Sequence, residues 1–193
     1  MNKTRILLLF LFIFSILALS ACSEKYEGDF SYEVEPFTFT NQDNVEVSKE
    51  DLDGEFWIAN MIFTNCNDVC PPMTANMARL QEKLKENSLH VRLVSFSVDP
   101  EVDTPSLLKS FADNYEADYT NWDFLTGYST ETIQEFLVKS FKALAEKTED
   151  GQVIHSTRFF LVSPEGNAIK KYDGLRADEM DKIIGDLKTY LDK

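Results

Sequence analysis

The sequence predicts an α/β fold: a central mixed sheet flanked by helices, with an N-terminal β-hairpin. Three observations carry that prediction. Short apolar, β-branched runs alternate with helical apolar stripes through most of the chain, the pattern of parallel strands joined by crossover helices. The last part instead reads strand, turn, strand, helix, which supplies an antiparallel edge. The chain, at 193 residues, is long enough for one domain with a sizeable core, and no repeat or low-complexity segment divides it.

Taken in order, Lys3 and Arg5 precede an apolar run from Ile6 to Leu19 broken only by Ser15. This predicts a signal peptide over residues 1–21, because the run falls short of the ~20 residues that span a bilayer. Leu19-Ser20-Ala21-Cys22 resembles a bacterial lipobox, in which the cysteine is lipidated and becomes the new N-terminus. Either a cleaved leader or an uncleaved anchor puts the domain on the extracytoplasmic side of the cell membrane. Residues 22–35, polar and weakly periodic, read as a lipidated tether, so that folded structure is expected from Pro36 to residue 193.

Phe37 to Thr40 and Val45 to Val47 alternate around Asn41-Gln42-Asp43-Asn44 and read as a hairpin. Phe56 to Phe63 is nearly all apolar, as for a strand buried on both faces. Met73, Met77, Leu80 and Leu84 recur at helical spacing in a helix ending near Asn87. A strand from Leu89 to Val98 follows. Thr104-Pro105 then supplies an N-cap and a first-turn proline for a helix expected to bury Leu107, Leu108, Phe111 and Tyr115. Trp122 to Leu125 reads as a strand and Thr130 to Leu144 as an amphipathic helix. The chain closes with strand Arg158 to Val162, the turn Ser163 to Asn167, strand Ala168 to Tyr172, and a helix carrying Met180, Ile183, Ile184, Leu187 and Leu191. This order is a thioredoxin-like layout.

The formal net charge is −14, and removing Lys3 and Arg5 with the leader makes the remainder more acidic still. Such a surface argues against binding nucleic acid or adhering directly to anionic lipid, since both require Lys or Arg against phosphate. A metal cation or a basic protein patch is compatible with it.

Of the three cysteines, Cys22 is assigned to the lipid, leaving Cys66 and Cys70. A structural staple is a poor account of that pair, because so short a loop removes little unfolded-state entropy. Both cysteines follow the predicted central strand at the start of the next helix, where backbone N–H groups and the helix dipole favour a thiolate. Their pKa values are therefore expected below the free value of about 8.5. Three intervening residues place the sulfurs at i and i+4 on one helical face. Two thiolates so placed can grip one ion, and they can also close into a disulfide.

His155 lies just before the strand beginning at Arg158, in a loop expected to face the cysteines across the top of the sheet. Its position beside two thiolates marks it as a ligand, whereas His90, at a helix-to-strand junction, reads as an ordinary surface histidine. Two sulfurs and one imidazole suit Cu(I), Cu(II) or Zn(II). A closed zinc site normally takes four protein ligands, so copper is the better match to three. Met73 and Met77 share the spacing of Leu80 and Leu84 and read as core.

Phe63-Thr64-Asn65-Cys66-Asn67-Asp68-Val69-Cys70-Pro71, the segment Ser97 to Pro105, and His155-Ser156-Thr157 with Ser163-Pro164-Glu165-Gly166 together resemble the Sco/SenC family. The resemblance implies a thioredoxin-like domain that binds copper through Cys66, Cys70 and His155 and serves assembly of the CuA centre in subunit II of cytochrome c oxidase. Many members carry His and Pro where this chain has Asn65 and Asn67, which implies different tuning of the cysteines. Asp99, Asp103 and Pro105 read as a turn and helix start outside the metal site. The leading function is a copper metallochaperone. A thiol:disulfide oxidoreductase, reducing the CuA-site cysteines or acting in redox signalling, is the alternative, with Cys66 and Cys70 as the redox pair. A peroxide-reducing or redox-sensing protein is suggested by Thr64-x-Cys66, but peroxiredoxins usually place a proline earlier in that motif and an arginine nearby.

Overall fold

A computed structural model describes residues 26–149 and 151–191. The leader and Cys22 lie outside the described residues. The elements are β1 (Tyr32–Glu33), β2 (Thr38–Thr40), β3 (Glu46–Ser48), a single 3-10 turn (Glu50–Leu52), β4 (Trp57–Ile62), α1 (Cys70–Glu86), β5 (Arg92–Ser97), α2 (Pro105–Asp113), β6 (Trp122–Leu125), α3 (Thr130–Phe141), β7 (Ala145–Lys147), β8 (Val153–His155), β9 (Arg158–Val162), β10 (Asn167–Asp173) and α4 (Glu179–Leu191).

Six strands form the central sheet in the order β1-β10-β9-β4-β5-β6. The pairs β4–β5 and β5–β6 are parallel, while β4–β9, β9–β10 and β10–β1 are antiparallel. This is the expected mixed sheet with a thioredoxin-like connection. The hairpin β2–β3 forms separately, pairing Phe39 with Val47.

Strand alternation divides the core in two. Trp57, Ala59, Met61 and Phe63 face one side, against Phe37 and Phe39 of the hairpin and Phe136 and Phe141 of α3. Ile58 and Ile62 face the other, against Met73, Met77, Leu80 and Leu84 of α1 and Met180, Ile183 and Leu187 of α4. All six residues of β4 are buried, as a strand covered by helices on both faces requires. Met73 and Met77 are fully buried there, which confirms the core stripe. Pro71 and Pro72 occupy the first turn of α1, where the missing N–H has no intrahelical acceptor to lose. In α2 the Thr104 hydroxyl accepts the Leu107 amide, as expected of a cap.

Four expectations are revised. Ordered packing begins by Tyr26, before the Pro36 boundary: Tyr26 stacks edge-on to Phe56 and Tyr190, β1 extends the sheet, and Val34 is fully buried. The helix expected to run to Leu144 stops at Phe141, where Lys142 takes a left-handed conformation. The segment beyond it forms a two-stranded ribbon, β7–β8. On α2, Leu107 is 45% exposed and Leu108 and Ala112 fill the buried face.

Gly28 shows how tightly the early segment is held, since a Cβ built on it would lie 2.2 Å from the Ile169 carbonyl oxygen. Backbone cannot withdraw cheaply. Gly28→Ala is therefore expected to destabilise the domain by about 1–3 kcal/mol. Calorimetry would show a Tm lower by roughly 2–4 °C per kcal/mol, whereas an unstructured tether would show no change.

Candidate metal centre

The parallel strands β4 and β5 both end at the same rim of the sheet, and β9, antiparallel to β4, begins there. The loop leaving β4 carries Cys66 and delivers Cys70 as the first residue of α1. The ribbon β7–β8 ends at His155, directly before β9. Three connections thus converge on one rim, although Cys70 and His155 are 85 positions apart.

Cys66 Sγ, Cys70 Sγ and a ring nitrogen of His155 all lie within 4.8 Å of one another. The Cys70 sulfur is 3.3 Å from His155 Nε2, and the Cys70 amide donates to Cys66 Sγ at 3.3 Å. His155 Nδ1 lies 2.9 Å from the Ser156 carbonyl oxygen. Nδ1 is therefore assigned the proton, which leaves the Nε2 lone pair turned toward the sulfurs. Phe63 packs edge-on against the imidazole. Both thiols are free; Cys66 is 5% exposed and Cys70 fully buried.

Electrostatics prepare the nitrogen and withhold one of the thiols. Burial holds the His155 pKa below its ordinary 6.5, with the Ser156 carbonyl opposing weakly. The ring is thus neutral at pH 7, the form that ligates. The Cys70 thiol is pushed well above its ordinary value, first by burial and then by its bond with Cys66. This corrects the expectation of a lowered pKa at the helix start. A helix terminus contributes about 0.3–1 kcal/mol at an exposed site, while full burial moves a titration by up to 3–5 units. A bound cation reverses the balance, because coordination deprotonates a thiol outright. A soft cation bound here would therefore have to displace the Cys70 proton.

The two shifts have opposite linkage to stability. Below pH 6.5 the unfolded chain takes up a proton that buried His155 resists, so stability falls with acid. Above pH 9.0 the unfolded chain releases a proton that Cys70 retains, so stability falls with base. Urea titrations of the reduced, metal-free protein are expected to show the alkaline loss setting in near pH 9.0, and Cys70→Ala is expected to remove that first part. Above pH 10.0, Tyr119, Tyr128 and Tyr172, their pKa values raised first by burial, add losses of the same sign. An unchanged alkaline limb in that variant would contradict the assignment.

The surrounding loops are braced by Asp103 and Asp99, whose sequence signature is only that of a turn and helix start. Asp103, buried, accepts from the Thr64 amide at 3.2 Å, from the Thr64 hydroxyl at 2.5 Å and from the Ser97 hydroxyl at 2.5 Å. Burial raises its pKa despite these bonds. Asp99, also buried, pairs with Lys147 Nζ at 2.8 Å. Both carboxylates belong to the segment Ser97 to Pro105, so the motif was visible while its long-range partners were not. Asn65 and Asn67 are exposed on the cysteine loop. His90 is exposed between α1 and β5 and takes no part in the cluster.

The SCO1/SenC family model matches residues 27–192. The chain belongs to the SCO1/SenC family. A curated SCO1 protein homolog from Bacillus subtilis is 53% identical over 175 residues, covering 90% of this chain and 91% of the relative. A solved Sco structure, described as a member of the Sco family of cytochrome c oxidase assembly proteins with a disulfide switch, is 53% identical. It covers 86% of this chain and 98% of its own, with a TM-score of 0.79. Arabidopsis thaliana ScoI, solved with copper bound, is 32% identical, covers 81% and 98% of the two chains, and has a TM-score of 0.70. The thioredoxin-like fold is thus common to the SCO1/SenC chain and its solved relatives, and copper is the metal bound in the Arabidopsis thaliana ScoI structure.

Proposed function

We propose that this protein is a copper metallochaperone for cytochrome c oxidase, binding the ion through Cys66, Cys70 and His155 and delivering it to the CuA centre of subunit II. The gathering of two sulfurs and one imidazole nitrogen within 4.8 Å supports this reading. A thiolate sits about 2.3 Å from a bound ion, so donors around one ion are separated by at most about 4.6 Å. The observed set therefore closes on an ion with small adjustment. Two soft donors and one borderline donor favour copper over hard cations. Copper is cargo here: Cys66 and Cys70 would release their protons to solvent on binding it, and His155, already neutral, offers Nε2 without a proton to shed. Cys22, lipidated, would hold the domain on the outer face of the cell membrane and confine the search for subunit II to that surface. Cells lacking the protein are expected to assemble oxidase without its CuA absorption when copper is limiting, and to recover on complementation. Normal CuA maturation in those cells would reject the delivery role.

A second reading rests on the same free, adjacent thiols. Cys66 and Cys70 would reduce a disulfide between the acceptor's CuA cysteines, becoming a disulfide themselves as the acceptor gains two thiols. In that case His155→Ala would retain most exchange activity while losing its copper signature.

A further inference from the structure

The donor atoms sit on the cysteine loop and the β7–β8 ribbon, and one turn bonds to both. Residues 99–103 form that turn, closed by the Val102 and Asp103 amides donating to the Asp99 carbonyl. Asp103 at one end holds the cysteine loop through Thr64. Asp99 at the other end holds the ribbon through Lys147, and its own amide donates to Ser97 Oγ, whose hydroxyl bonds Asp103. The ribbon has limited packing of its own: Ala145 and Val153 are buried, but Ile154 is 66% exposed and neighbouring Leu144 is 72% exposed. It is also tied by Gln134 Nε2 donating to the Ala145 carbonyl at 2.9 Å and by a long Gln152 Nε2 contact to the Asn65 carbonyl at 3.5 Å.

Register places Lys147 where it can act on His155. Lys147 pairs with Val153 and Ala145 with His155. Paired residues share a face and alternate positions share it too, so Lys147 and His155 project from the same side of the ribbon, two positions apart. One face therefore touches the turn at Asp99 and the cysteine pair at Cys70. The Asp99 carboxylate is 4% exposed and the lysine side chain 37% exposed, so the pair is half shielded from solvent. Glu101, at 3.7 Å and largely exposed, is a weaker partner.

We infer that Lys147 is a positioning residue for metal binding: its ion pair with Asp99 clamps the β7–β8 ribbon so that His155 Nε2 meets the two sulfurs. The inference rests on the three-ligand copper reading and adds to it a residue outside the donor set. Loss of a group that orients a metal ligand typically lowers affinity by about 10–100-fold. Lys147→Met keeps the length of the side chain and removes the charge, whereas Lys147→Arg keeps the charge.

The test uses the full chain in detergent, with wild type, Lys147→Met, Lys147→Arg and His155→Ala compared in two ways. In the metal-free proteins, amide exchange over residues 145–155 is expected to quicken in Lys147→Met, to stay near wild type in Lys147→Arg, and to be unchanged in β4, β5 and α1 of both. On loading with Cu(II), Lys147→Met is expected to bind about 10–100-fold more weakly and to shift its absorption and paramagnetic resonance toward those of His155→Ala, with Lys147→Arg restoring the wild-type signature. Wild-type exchange and spectra in Lys147→Met would overturn the inference, as would loss of protection throughout the domain without rescue by arginine. If wild type itself shows no His155-dependent signature, the three-ligand reading fails instead, and the exchange data alone decide whether Lys147 clamps the ribbon.

Discussion

Cys70→Ser is expected to abolish stoichiometric copper binding while leaving the domain folded. The Cys70 side chain is fully buried at the start of α1, its sulfur 3.3 Å from His155 Nε2, and its own amide reaches Cys66 Sγ. It is the residue through which the other two donors are brought together. Serine fits the same space and keeps the helix start, but its neutral hydroxyl is a hard donor of little use to a soft ion. The remaining Cys66 and His155 leave a two-ligand site. The expected loss therefore exceeds the roughly 10–100-fold that follows when only an orienting group is removed. Cys66→Ser should lose binding by the same argument, since each sulfur supplies one of the two soft contacts. Equilibrium dialysis against a competing chelator measures the loss, and far-ultraviolet circular dichroism confirms the fold.

Oxidation is expected to have an equally large effect. Forming one bond between the Cys66 and Cys70 sulfurs removes two electrons and both thiolate donors, so a disulfide and a bound copper ion exclude each other. The sulfurs start within 4.8 Å and must close to about 2.05 Å, a movement that the exposed stretch Asn67-Asp68 can absorb. Treating the copper-loaded protein with a disulfide oxidant should release the ion as thiols disappear, and a dithiol reductant should restore binding. Retention of copper at full oxidation would mean that the sulfurs are not the ligands. Because the two processes compete for the same pair, the proposed copper delivery and the alternative disulfide reduction would both draw on one reduced state.

Much of this was visible in the sequence because the signals were local. The near-continuous apolar run of β4, the stripe Met73-Met77-Leu80-Leu84, and the cap at Thr104 each depend on neighbours in sequence, and the structure retains all three. The Cys66-Cys70 spacing and the position of His155 before β9 were likewise readable, given the order of the strands. What stayed hidden depends on distant partners. The segment around Gly28 and Val34 looks like a polar tether, and only docking against Ile169 and β10 makes it part of the domain. The ribbon from Ala145 to His155 contains Glu146, Lys147, Thr148, Glu149 and Gly151, too polar to predict a strand pair; it is secured by a salt bridge 48 positions away. The raised pKa of Cys70 is not legible in the sequence, because a helix start is local information, whereas burial, the larger effect, belongs to the folded core.

The most direct measurement is a Cu(I) and Cu(II) titration of the reduced full chain in detergent, followed by absorption and paramagnetic resonance beside Cys66→Ser, Cys70→Ser and His155→Ala. One ion per chain is expected, with a sulfur-to-copper charge-transfer band for Cu(II), loss of both in either cysteine variant, and an altered spectrum in His155→Ala. Copper that only oxidises the thiols to a disulfide, or that binds unchanged without His155, would contradict the three-ligand copper reading.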